Sequence, residues 1–130
     1  MLTAPGCWRL SVTQGFSAAH ALRHYEGKCE RLHGHNFQVE VQVEGRELQP
    51  GTELLLDFKI LKTELKAVLE SLDHHDLNET PPFNQCNPSS EQIGRYIYEQ
   101  LAPRLRSWPV RISSVTVGEK PGQSATFLPD

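Results

Sequence analysis

HGHNFQVEVQVE, residues 33–44, carries the clearest structural pattern in this chain. Phe37 and the three valines that follow at every second position alternate with polar or charged residues. This period of two predicts a β-strand with one buried face. His33 and His35 share the parity of the apolar residues, so both imidazoles are expected to point toward the core. The strand therefore brings two potential metal ligands to the edge of a hydrophobic core.

A second strand is predicted upstream of this one. Residues 8–13 alternate in the same way, and the strand is expected to continue toward His20. Gly15 lies within it and is expected to bend or bulge it. The polar stretch 23–31 predicts a loop between the two strands.

Two helices are predicted downstream. Asp57 is an N-cap candidate for the first helix, whose apolar residues fall along one stripe and should lie on the sheet. That stripe comprises Phe58, Leu61, Leu65, Val68, Leu69 and Leu72. Ser89 or Ser90 caps the second helix, and Ser89 with Gln92 has capping-box spacing. Pro103 is expected to kink or end this helix.

The C-terminal part of the chain returns to strand patterns. A third strand is predicted from Val110 to Val117, with a bulge where the parity shifts at Ser113-Ser114. The Pro121-Gly122 turn leads into a short final strand, Ser124 to Leu128. The predicted order is β-β-α-α-β-β, which makes the fold α+β with an antiparallel sheet.

Composition narrows the class of protein. A chain of 130 residues is expected to form a single domain, residues 1–130, with a real core. The net charge of −3 offers no basic field for nucleic acid or an anionic membrane, and no apolar run approaches a membrane span of roughly 20 residues. The first nine residues lack a signal-peptide pattern, and the three cysteines form no CxxC pair. We therefore expect a reducing, cytoplasmic setting.

Three histidines form the strongest candidate site. His33 and His35 are two apart on one strand face, and His20 could supply a third imidazole. Three neutral imidazoles suit zinc and leave one coordination position free, which is typical of a catalytic zinc site. The alternative is that these are core histidines satisfied by hydrogen bonds, but three of them at ligand spacing favour the metal.

Cys29 lies close to this candidate site in the sequence. It could be a fourth zinc ligand, a small core residue, or a nucleophile or base. Lys28, Arg31 and a nearby metal would lower the pKa of its thiol and favour the thiolate. The sequence alone leaves ligand and base open.

Two further motifs carry acid–base chemistry. An aspartate that orients an imidazole is a general acid–base device, and the helix end predicted near Asp73-His74 could fold the two side chains together. The alternative is a helix C-terminal histidine favoured by the helix dipole, which is also the reading for His75. Glu119 is either an exposed charge at a strand end or a carboxylate that accepts paired hydrogen bonds from a pterin-like or guanine-like ring.

Taken together, five motifs resemble the 6-pyruvoyl-tetrahydropterin synthase family in content and order. They are FSAAH (16–20), CERLHGH (29–35), LDHH (72–75), NPSSE (87–91) and Glu119. The three residues between Cys29 and His33 resemble the bacterial branch, the 6-carboxytetrahydropterin synthases of the queuosine pathway, because animal enzymes usually have a longer spacing there.

The resemblance implies a fold, an assembly and residue roles. It implies the tunnelling fold, in which three sheets join into a barrel and two such trimers stack, with active sites between subunits. It implies Zn²⁺ held by His20, His33 and His35, and Cys29 as general base outside the coordination shell. Asp73 and His74 would form the proton relay, which could reach a neighbour's zinc site. Glu119 would anchor the pterin, and Ser89, Ser90 and Arg31 would contact substrate.

The implied substrate is 7,8-dihydroneopterin triphosphate, and the implied products are 6-carboxytetrahydropterin, acetaldehyde and triphosphate. The triphosphate is expected to meet either a neighbouring subunit's residues or the basic residues near the site, Arg23, His24, Lys28 and Arg31. The chain departs from many relatives after Glu119, where KPGQ replaces a commoner threonine-containing segment.

Three alternatives remain at this stage. The first is 6-pyruvoyl-tetrahydropterin synthase, which stops before the carbon–carbon cleavage. The second is an aldolase-like family variant with glutamate in place of the cysteine, which Cys29 argues against. The third is a non-catalytic zinc-binding or pterin-binding module, which would not need Cys29, Asp73 and His74.

Overall fold

The computed structural model describes residues 1–27 and 30–130. Four strands form an antiparallel sheet in chain order: β1 (Trp8–His20), β2 (His33–Gly45), β3 (Arg111–Lys120) and β4 (Gln123–Phe127). Two helices, α1 (Phe58–Leu69) and α2 (Ser90–Leu101), lie between β2 and β3 in the chain. The predicted α+β class and β-β-α-α-β-β order are confirmed.

The core lies between the sheet and the two helices. α1 packs against β1, and α2 packs against β3 and β4. Alternate residues of β2 are fully buried from Phe37 to Val43, whereas Gln38 between them is exposed on the other face. The helices contribute Leu61, Leu65, Val68, Leu69, Ile93, Ile97 and Leu101 to this core. The period-two pattern of residues 37–43 thus predicted the buried face correctly.

The predicted helix starts are confirmed. The Asp57 carboxylate accepts a hydrogen bond from the Lys59 backbone N–H at 2.8 Å. The Ser89 hydroxyl accepts one from the Gln92 N–H at 3.2 Å. α2 ends at Leu101, and a 3₁₀ turn, Ala102–Leu105, follows. Among the described residues, no helix combines the length and apolar character that crossing a membrane requires.

The apolar stripe of α1 begins later than predicted. Phe58 is 51% exposed, and the buried stripe starts at Leu61. A helical side chain covers the turn that precedes its own Cα, and the first residue of a helix has no such turn. Phe58 is therefore left beside solvent.

One predicted bulge is present and the other is absent. Gln42 pairs with Ser114 and Val43 with Ile112, so Ser113 is the extra residue of the predicted bulge. The alternative of a bulge at Gly15 is wrong, because β1 pairs with β2 in unbroken register from Trp8 to His20. A Cβ at position 15 would lie 3.2 Å from the Phe37 carbonyl oxygen, so glycine serves close approach of the backbones there.

Candidate metal centre

Three imidazoles converge where β1 ends and β2 begins. His20 pairs with His33 across the two strands, and Ala18 pairs with His35, so all three rings lie on the helix-covered face. Ring centroids are 4.7 Å apart for His20–His33, 4.7 Å for His33–His35 and 5.6 Å for His20–His35. The structure therefore brings together the three histidines that the sequence selected.

Backbone carbonyls orient two of the rings. The Nδ1 of His20 lies 2.8 Å from the Pro88 carbonyl oxygen, and the Nδ1 of His33 lies 2.6 Å from that of Arg31. In a neutral imidazole the nitrogen that faces a carbonyl carries the proton, so the Nε2 lone pair of each ring is available. Metal-binding histidines are typically held in this way.

Glu119, from the far end of β3, completes the cluster. Its Oε2 atom lies 3.3 Å from the Nε2 of His20 and 3.9 Å from the Nε2 of His35. The three histidines and Glu119 each offer one ligand atom, and these four atoms all lie within 4.8 Å of one another. Sequence reasoning placed Glu119 at a pterin and missed its proximity to the imidazoles.

The His20–Glu119 contact fits a cation better than a hydrogen bond. The Nε2 of His20 is buried and finds no hydrogen-bond partner among the described residues, since the contact with Glu119 lacks hydrogen-bond geometry. Burial lowers the pKa of His20, because removal from water penalises the imidazolium form. The lone pair of the His20 Nε2 thus faces the Glu119 carboxylate, and His20 is only 1% exposed. This contact is unfavourable unless a positive ion lies between the two atoms. The residues present therefore fit a metal ion.

Two stacked phenylalanine rings lie next to this cluster, on the side of the main core. The Phe37 ring is fully buried and stacks on Phe16 with centroids 4.8 Å apart. The same ring meets His20 edge-on at 5.3 Å and His35 at 5.9 Å. Close packing of these rings restricts the imidazole rotamers, so the ligand positions are fixed by the core.

Asp73 and His74 form a pair that lies apart from the cluster. The turn after α1 brings the His74 Nδ1 within 3.0 Å of the Asp73 carboxylate. The other oxygen of Asp73 accepts the Ser17 N–H at 2.9 Å, which lowers the pKa of Asp73 by stabilising its charged form. His74 has a φ of +60° and an 82% exposed side chain, and its N–H donates to the Ser17 carbonyl at 2.6 Å. The pair is thus anchored to β1 with one imidazole nitrogen toward solvent.

A surface cavity of about 460 Å³ lies beside His74, where β1 ends and β2 begins. His74 and His35 both line it, together with Ser17 and Asn36. The cavity thus adjoins one residue of the pair and one residue of the cluster.

Comparison with known proteins agrees with this geometry. The family model for 6-pyruvoyl tetrahydropterin synthase matches residues 9–130. The chain belongs to this family. The 6-carboxy-5,6,7,8-tetrahydropterin synthase of Synechocystis sp. is 39% identical over 98 residues, which cover 72% of this chain and 74% of that protein. The chain is thus a 6-carboxytetrahydropterin synthase-like enzyme of the family, as its five motifs predicted.

Two further proteins are similar to this chain. The dihydroneopterin monophosphate aldolase of Pyrococcus furiosus is 38% identical over 97 residues, covering 75% of this chain and 77% of the relative. The solved structure of 6-pyruvoyl tetrahydropterin synthase from Caenorhabditis elegans has a TM-score of 0.86 at 29% identity, over 99% of this chain and 100% of that one. The fold is therefore that of the family.

The remaining predicted residues of this family member have distinct surroundings. Ser89 caps α2, and Ser90 is the first residue of that helix. Arg31 has an exposed side chain and contributes its carbonyl to His33. Cys29, the predicted base, lies outside the described residues.

Arg23, one of the basic residues predicted to meet the triphosphate, makes contacts within the chain. Its guanidinium donates to the carbonyls of Phe83 at 2.7 Å and Cys86 at 3.0 Å. The contact with the triphosphate stays a prediction. The charge pattern around residues 23–31 could not reveal the bonds within the chain, because both carbonyls lie about sixty residues away in the sequence.

Two asparagines fix the segment that follows His20. Asn78 accepts the Ala21 N–H at 2.8 Å and donates to the Ala21 carbonyl at 3.0 Å. Asn87 does the same for Arg23, at 2.9 Å and 2.8 Å. These two amides substitute for strand pairing and hold His20 beside the Pro88 carbonyl.

Proposed function

We propose that this chain is a zinc-dependent 6-carboxy-5,6,7,8-tetrahydropterin synthase. It would convert 7,8-dihydroneopterin triphosphate and one water molecule to 6-carboxytetrahydropterin, acetaldehyde and triphosphate. The observation that carries the proposal is the partly buried cluster of three imidazoles with Glu119. It is supported by the chain's membership of the family and its 39% identity to a protein of that name.

His20, His33 and His35 would hold the zinc ion through their Nε2 atoms. Three imidazoles are a donor set that zinc favours, and zinc supplies Lewis acidity toward hydroxyl and carbonyl oxygens. The carbonyls of Pro88 and Arg31 keep two of these imidazoles in the ligating tautomer. The Phe37 ring beneath them limits access of water from the core side.

Cys29, Asp73 and His74 would move the protons. The Asp73 carboxylate holds the Nδ1 of His74 and orients the ring, which would leave Nε2 to give or take a proton. The open side of this pair, with His74 largely exposed, is consistent with a relay that serves a neighbouring subunit's site. Cys29 would act as the base, and its thiolate distinguishes this reading from the aldolase-like variant.

Glu119 would anchor the pterin ring. A carboxylate accepts paired hydrogen bonds, one at each oxygen, from the amino group and the ring N–H of a pterin. Ser89, Ser90 and Arg31 would contribute substrate contacts around the same opening. Of these three, Arg31 offers an exposed cation that could meet the triphosphate.

The active form would be a homo-oligomer, a dimer of trimers with sites between subunits. In the described part of the chain, the outer edge of β1 bonds to residues 73–76 only around Ser17 and Ala19, and residues 8–16 have no strand beside them on that side. Long open edges of this kind are normally paired in an assembly. The proposed role is in queuosine biosynthesis in the cytoplasm, on a small-molecule substrate and with no nucleic-acid or membrane partner.

Triphosphate release tests this proposal. Zinc-loaded protein mixed with 7,8-dihydroneopterin triphosphate should release triphosphate, while chelator-treated protein and His33→Ala should not. Cys29→Ala should keep zinc and pterin binding but lose turnover, whereas loss of zinc in that variant would make Cys29 a ligand. Zinc and pterin binding without triphosphate release in the unmodified protein would identify a binding module and refute the enzyme.

A further inference from the structure

A β-bulge aims Glu119 at the imidazoles. Val117 pairs with Ala125 and Lys120 with Gln123, so two residues of β3, Gly118 and Glu119, stand opposite one residue of β4. Bulges of this type re-aim a side chain that regular pairing would direct elsewhere. The position of Glu119 is therefore built into the β3–β4 hairpin.

The two oxygens of Glu119 have different partners. Gln123 donates its side-chain N–H to Oε1 at 3.3 Å, and Oε2 faces the imidazoles of His20 and His35. A monodentate carboxylate ligand is arranged in this way. One oxygen accepts a hydrogen bond, and the other faces the nitrogen lone pairs of the remaining ligands.

The separation between donor atoms fits a shared ion. Ligands about 2.0–2.1 Å from a tetrahedral zinc ion are about 3.3–3.4 Å from one another. The Oε2 of Glu119 and the Nε2 of His20 are 3.3 Å apart without being hydrogen-bonded. The distance from Oε2 to the Nε2 of His35, 3.9 Å, needs only a small contraction.

We propose that Glu119 is the fourth ligand of the metal ion in the substrate-free protein and leaves the metal when a pterin binds. The second half of this statement rests on the proposed function, in which Glu119 receives the pterin. Paired hydrogen bonds from a pterin ring use both carboxylate oxygens, so the ring and the metal compete for the lone pairs and the orientation of Oε2. Pterin binding thereby frees one coordination position on the metal ion, and the bound substrate can fill that position.

Cobalt(II) substitution tests the ligand, because the visible spectrum of this ion reports coordination number and geometry. Glu119→Gln should change the spectrum and weaken metal binding at least tenfold in competition with a chelator. Glu99→Gln, which removes the same charge from an exposed position on α2, should leave both unchanged. Glu119→Asp, which keeps the charge but shortens the reach, should resemble Glu119→Gln. Metal binding by Glu119→Gln within twofold of the unmodified protein, with an unchanged spectrum, overturns the proposal.

Neopterin, a fluorescent pterin without phosphates, tests the exchange. Its addition should shift the cobalt spectrum of the unmodified protein toward that of Glu119→Gln. Neopterin fluorescence reports binding separately. Bound neopterin with an unchanged cobalt spectrum overturns the exchange, whereas failure of neopterin to bind contradicts the proposed function. The metal-only measurements decide the ligand whether or not the protein turns over substrate.

Discussion

Asn87 should stabilise both the fold and the position of His20. Its side chain makes two hydrogen bonds with the Arg23 backbone, at 2.9 Å and 2.8 Å. Each such bond contributes about 0.5–1.5 kcal/mol, so Asn87→Ala should lower the free energy of unfolding by about 1–3 kcal/mol. With a urea dependence of about 2 kcal/mol per molar, the unfolding midpoint should fall by about 1 M.

The assay is urea unfolding of the metal-free protein followed by circular dichroism, since bound metal would add its own stabilisation. Asn84→Ala is the matched control, because Asn84 is exposed on the same loop and should unfold like the unmodified protein. Metal affinity should also fall in Asn87→Ala, because the Pro88 carbonyl that orients His20 is the next residue. Equal urea midpoints for the two variants would refute the stabilising role of the Asn87 hydrogen bonds.

Three further outcomes follow from the same geometry. Phe37→Ala should cost about 3–5 kcal/mol of unfolding free energy, because it empties a fully buried site beneath the imidazoles; calorimetry with and without metal measures this. The metal-free protein should lose stability as the pH falls below about 6.5, since the lowered pKa of His20 makes the unfolded chain bind the proton first. In urea unfolding, the free energy of unfolding of His20→Gln should depend less steeply on pH, by at most about 1.4 kcal/mol per pH unit. Zinc at about one hundred times its Kd should stabilise the protein by about 2.7 kcal/mol, and the double variant His33→Ala, His35→Ala should show no such gain in thermal unfolding.

Local sequence patterns predicted the elements because the relevant forces are local. The alternation from Phe37 to Val43 determines which face of β2 is buried, and this places His33 and His35 on the same side. The Asp57 and Ser89 caps satisfy N–H groups two or three residues away. A reader of the sequence can therefore predict the sheet, the helices and the three imidazoles.

The rest of the site depends on contacts between distant residues. Nothing near Glu119 in the sequence indicates that a bulge directs it toward His20, about a hundred residues earlier. Asn87 looked like part of a family motif, and its bonds to Arg23 span 64 positions. At Gly15 a local cue was misleading, because the reason for glycine is the Phe37 carbonyl on the neighbouring strand.

Product identification tests the central claim most directly. Zinc-loaded protein is incubated with 7,8-dihydroneopterin triphosphate, and the products are identified by mass spectrometry. Equal amounts of 6-carboxytetrahydropterin and acetaldehyde are predicted. A 6-pyruvoyl product without acetaldehyde would instead assign the chain to the sibling reaction, and recovery of unchanged substrate would contradict the catalytic account.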